Sequence, residues 1–127
     1  MFKFGDVVRF FSPTAGKEKY HLCLGTTENS LLLTFLHINS GSGFRGDCSL
    51  DDGQIPGLPK SATGKTVVSF SSIVRMGEGR LVKFGAKKTG EIDANLAGEL
   101  SAFAKSTPVL TYLERALVVM ALESLFA

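Results

Sequence analysis

Apolar and polar positions alternate with the short period of strands over most of the chain, and change near Ile92 to the spacing of helices. The opening FKFGDVVRFF, Phe2 to Phe11, is rich in Val and Phe with a break at Gly5 and Asp6, so it predicts a short turn feeding a strand. Ser12 to Gly16 reads as a loop by composition. YHLCLG, Tyr20 to Gly25, and LLLTFLHINS, Leu31 to Ser40, flank a polar stretch from Thr26 to Ser30 in the manner of a hairpin. The second run is apolar on both faces, which predicts a central strand.

From Gly41 to Gly64 the chain is dominated by Gly, Ser, Asp and Pro, a long loop with one candidate strand at Phe44 to Leu50. KTVVSFSSIVRM, Lys65 to Met76, carries high β propensity in Val67, Val68, Phe70, Ile73 and Val74. A shorter strand is predicted at Arg80 to Phe84, after the Gly77 and Gly79 turn. Ile92, Leu96, Leu100 and Phe103 then recur at helical spacing behind the N-cap Asp93, which predicts a helix over Ala94 to Lys105. Thr107 and Pro108 repeat the start signal for a final helix, about Val109 to Leu125. That helix is apolar nearly all round, the pattern of burial on more than one side, for which a dimer interface is one explanation. The expected class is mainly β (α+β), one domain over 1–127, with strands to about 90 and helices over about 93–126.

Composition changes this picture little: 127 residues, 44% of them hydrophobic, can bury a core without disulfides or metals. Mean hydropathy is +0.18, yet Glu114, Arg115 and Glu123 interrupt the most apolar stretch, so no membrane-spanning helix is expected. No secretory signal is visible from Met1 to Asp6, and a cytoplasmic location is the default expectation. Cys23 and Cys48 are then expected as unpaired thiols. A net charge of +2 announces no nucleic-acid binder, although Lys83, Lys87 and Lys88 cluster behind Arg75 and Arg80 and could favour phosphate or simply be solvated.

The chemistry-bearing residues are few. TGKT, Thr63 to Thr66, is no phosphate-binding loop, because Pro59 stands where that motif needs Gly and a strand follows it. No His or Cys stands at metal-ligand spacing, and no metal is expected. His21 and His37 fall in strands, where each could act as a general base or acid, or be a hydrogen-bonded structural residue; the structural role weighs more for His37. Asn39 and Ser40 end the central strand where the Gly/Ser loop begins, a place from which side chains leave a rigid scaffold toward solvent.

In order, FKFGDVV, the Gly16-Lys17-Glu18 segment, the apolar strand after it, a strand ending at Ser40, the late strand with Ile73-Val74-Arg75 and a following helix resemble the PemK/MazF family of toxins. The likeness extends to about Lys105, and the last helix is an addition to the usual pattern. The resemblance implies a small SH3-like barrel, a homodimer, and metal-independent endonucleolytic cleavage of single-stranded RNA that needs no cofactor and is neutralised by an antitoxin. Ser40 stands where the family has Thr or Ser, and Glu18 fits the Gly-x-Glu segment. Tyr20 and His21, with Lys19 beside them, stand in place of the family's Arg-Pro, and Ser71 and Ser72 in place of Asp-Gln.

On this resemblance His21 is the general acid or base, Lys19 and Lys65 stabilise phosphate charge and Ser40 orients the scissile group. Glu18 completes the catalytic set, and Arg45, Asn39 and Arg75 join Lys65 as RNA-binding candidates. Loss of the Arg-Pro and Asp-Gln positions leaves two other functions open on the same scaffold. One is a noncatalytic RNA- or protein-binding module using the loop Gly41 to Gly64; the other is poisoning of a protein target such as DNA gyrase.

Overall fold

A computed structural model describes residues 2–26, 32–39, 46–61 and 63–125, with Asn39 and Ser72 described by backbone alone. Among the described residues six strands run as β1 (Asp6–Ser12), β2 (Lys17–Thr26), β3 (Leu33–Asn39), β4 (Asp47–Asp51), β5 (Lys65–Met76) and β6 (Lys87–Glu91). Three helices accompany them: α1 (Glu78–Lys83) between β5 and β6, then α2 (Ala94–Ser106) and α3 (Tyr112–Glu123). The strands form one open antiparallel sheet in the order β4-β5-β3-β2-β1-β6, an α+β architecture. β2 and β3 are the expected hairpin, and β3 lies between two partners as its two-sided apolar run requires.

Strand alternation sorts the side chains onto two faces. The back face carries Val7, Leu22, Leu36, Ile38 and Phe70, and it is covered by Leu96, Ala97, Leu100 and Ala104 of α2 and Val118 and Leu122 of α3. The front face carries Val8, Phe10, Cys23, Phe35 and Met76, with Leu81 of α1 over them. Burying each large apolar side chain contributes about 1.5–3 kcal/mol. Cys23 and Cys48 are free thiols on opposite faces, each pushed up to about 11 by burial, which keeps them protonated.

Two predicted elements are corrected. Arg80 to Phe84 belongs not to a strand but to α1 and its C-cap, because only Leu81 of that helix is buried and nothing alternates beside it. The sixth strand is KKTGE instead, an edge strand held by backbone pairing to β1, with no apolar pattern to announce it. The last helix begins three residues later than Val109. Thr107 is the C-cap of α2, and Thr111 starts α3 with a capping box in which Thr111 and Glu114 satisfy each other's backbone N–H groups. In the single chain α3 is buried on one side only: Val118 and Leu122 face the core, whereas Tyr112, Leu113 and Met120 are exposed.

The open edges approach each other without pairing. Pro56 and Gly57, in the loop after β4, lie against the backbone of Thr89 and Gly90 in β6 so closely that a Cβ at Gly57 would overlap the Thr89 carbonyl. Gly57 also has φ +85°, a conformation that L side chains resist. Gly57→Ala is therefore expected to lower stability by about 2–4 kcal/mol, read as a reduced urea midpoint by circular dichroism. An unchanged midpoint would show that this contact is not tight in solution.

Candidate functional site

The β3–β5 register jumps between Leu36, paired with Ile73, and His37, paired with Ser69. Phe70, Ser71 and Ser72 are thus extra residues on β5, a bulge of the kind that redirects side chains at functional sites. The result is a polar row across the front face: His21 opposite His37, His37 opposite Ser69, and Ser69 opposite Asp47. The Ser69 and Ser71 hydroxyls lie 2.9 Å apart.

His21 is the sealed end of this row. Its ring stacks on Phe10, 3.7 Å between centroids at 6°, and meets Phe35 edge-on. It is 0% exposed, and neither ring nitrogen has a hydrogen-bond partner of good geometry among the described residues. Burial, and after it the neighbouring His37, holds its pKa down at about 3; the nearby backbone of Val8 and Lys19 opposes this only weakly.

His37 is the accessible member, half-buried and 5.1 Å from His21 by ring centroids. Its pKa is lowered by burial first and by Lys19 second, so it is a neutral base at pH 7. Lys19 is itself more acidic than usual, through burial and then repulsion from Lys17. The front face thus brings together Lys19, His21 and His37, and Asn39 follows two residues after His37 along β3.

Other candidates do not converge there. Alternation puts Glu18 on the back face, away from Lys19 and His21, where Arg9 holds its carboxylate at 2.7 Å. Lys65 shares the front face but is ion-paired with Asp51 where β4 and β5 meet the loop. Arg75 pairs with Thr34 at the far end of β3 from Asn39. Ser40 and Arg45 lie outside the described residues.

Sequence reading missed Ser69 and Asp47, and took Ser71 only as one of two serines standing in place of Asp-Gln. Their signal was faint: serines interrupting the Val/Phe run of β5, and an acidic residue opening β4. It also missed a cleft of about 400 Å³ where β3 ends, between the first half of β2 and the loop at Leu58 to Ser61. Glu18, Tyr20, Ile38 and Thr66 line it, together with Lys17, Lys19 and Lys60. Asp52 braces that loop by accepting hydrogen bonds from the Ser61 N–H, the Ser61 hydroxyl and the Thr66 hydroxyl. Among the described residues no group of three His, Cys, Asp or Glu could hold a metal ion.

Fold and site define a small α+β domain with a polar imidazole–hydroxyl row on one face of an antiparallel sheet. Compared with protein-family models, curated proteins and solved structures, the chain matches none. No helix among the described residues is long and apolar enough to cross a membrane.

Proposed function

We propose that the chain is a metal-independent endoribonuclease of the toxin kind, cutting single-stranded RNA at the front face. The observation that carries this reading is the grouping of Lys19, His21 and His37 there, a base and a cation within reach of one phosphodiester. His37, not the sealed His21, takes the proton of the ribose 2′-hydroxyl as that oxygen attacks phosphorus. Lys19 offsets the charge developing on phosphate and, being unusually acidic for a lysine, protonates the leaving 5′-oxygen. The products are a 2′,3′-cyclic phosphate and a free 5′-hydroxyl. His21 backs His37 and stays neutral throughout.

In this reading the open sheet corresponds to an SH3-like barrel, a correspondence supported by the close approach of Pro56 and Gly57 to β6. The protein works in the cytoplasm, pairs with a second copy and is neutralised by an antitoxin. Exposed Tyr112, Leu113 and Met120 on α3 support a protein contact. The second reading, a noncatalytic RNA- or protein-binding module, is favoured by the sealing of His21, which keeps that residue from substrate. The purified protein incubated with a long single-stranded RNA in EDTA, followed by mapping of 5′ ends, separates the two. Discrete cuts that scale with enzyme concentration support the nuclease; intact RNA supports the module.

A further inference from the structure

We infer that the cleft beside β2, where β3 ends, is a nucleotide-binding site that selects guanine. Glu18 and Tyr20, two residues apart on one strand, project to the same side and line its floor. Arg9 fixes both: its guanidinium is 2.7 Å from the Glu18 carboxylate and 5.8 Å from the centre of the Tyr20 ring. A carboxylate held in this way accepts hydrogen bonds and offers none.

Among the four RNA bases only guanine presents two adjacent N–H donors on its Watson–Crick edge, N1–H and N2–H. Adenine and cytosine place a ring acceptor beside their single amino group, and uracil flanks its one N–H with two carbonyls; both arrangements repel a carboxylate. Tyr20 and Pro59 supply flat apolar surface for the base, and the cleft's volume of about 400 Å³ suits a single nucleotide. Lys17 and Lys60 supply cationic charge for its phosphate. The guanine is either a free nucleotide or one residue of an RNA strand.

This inference does not rest on the cleavage reading: Lys19 borders both the cleft and the histidine row, but the deciding measurements use mononucleotides, which hold no phosphodiester to cut. Titration calorimetry with 5′-GMP, 5′-AMP, 5′-CMP and 5′-UMP tests it on the wild-type chain. GMP is expected to bind at least about tenfold more tightly than the other three. Glu18→Gln should remove the preference while keeping a native circular dichroism spectrum, and Lys60→Glu should weaken GMP but not guanosine. The trinucleotide UpGpU binding more tightly than GMP would place the guanine in a strand, and equal binding would make it a free nucleotide; either bears out the site. Equal affinity for all four mononucleotides, or binding of none at millimolar concentration, overturns it.

Discussion

Alanine in place of His37 is expected to reduce RNA cleavage by about 10²- to 10⁴-fold, the usual contribution of a positioned proton-transfer group. The side chain is half-buried at a strand surface, so its removal leaves the two hydrophobic clusters intact. His21→Phe is expected to cost far less activity, since that ring never reaches solvent and phenylalanine keeps the stack on Phe10. The pH profile provides a readout that a purely structural role would not alter. With His37 titrating below its ordinary 6.5 and Lys19 below its ordinary 10.5, the rate should rise and fall on a bell displaced toward acid. A His37→Ala protein that cuts RNA at the wild-type rate would remove His37 from the chemistry.

The second large effect is on stability. In the unfolded chain His21 takes up a proton near pH 6.5, whereas in the folded chain it resists until about pH 3. Between those values the unfolded state binds more protons, so acidification favours unfolding. Stability is therefore full above pH 6.5 and declines as pH falls toward 3, by on the order of 4–5 kcal/mol from this residue. His37, shifted in the same direction, adds to the decline. His21→Phe removes the larger part and also eliminates two buried nitrogens that lack a hydrogen bond of good geometry among the described residues. The variant should match or exceed wild type at pH 7, with an advantage that grows on acidification. Urea unfolding at pH 7, 5.5 and 4 measures this, and parallel losses in the two proteins would show that His21 finds a partner in solution.

Much of the scaffold was legible because it rests on local periodicity. β5 appears over Lys65–Met76 as its Val and Ile content predicts, and α2 starts behind Asp93, whose carboxylate accepts from the Leu96 N–H. β6 was not legible, since a polar edge strand buries too little side chain to leave a pattern. α1 was misread because a six-residue helix with one buried position looks the same as a short strand with one buried position.

The candidate site was less legible, and the reason is geometric. Lys19 and His21 are on one face, while Glu18, adjacent to Lys19 in sequence, is turned to the other. His37 gains Ser69 as its neighbour only because β5 bulges, a register change that no run of residue types announces.

The sequence by itself therefore determined the place of most strands along the chain and the two C-terminal helices, which depend on residue type and spacing over a few positions. Only the tertiary structure decided that His21 is sealed and His37 accessible. The burial of a strand histidine depends on the strands beside it and on what stacks against its ring, here Phe10 from β1 and Phe35 from β3. These contacts are distant in sequence and are created by the order of strands in the sheet.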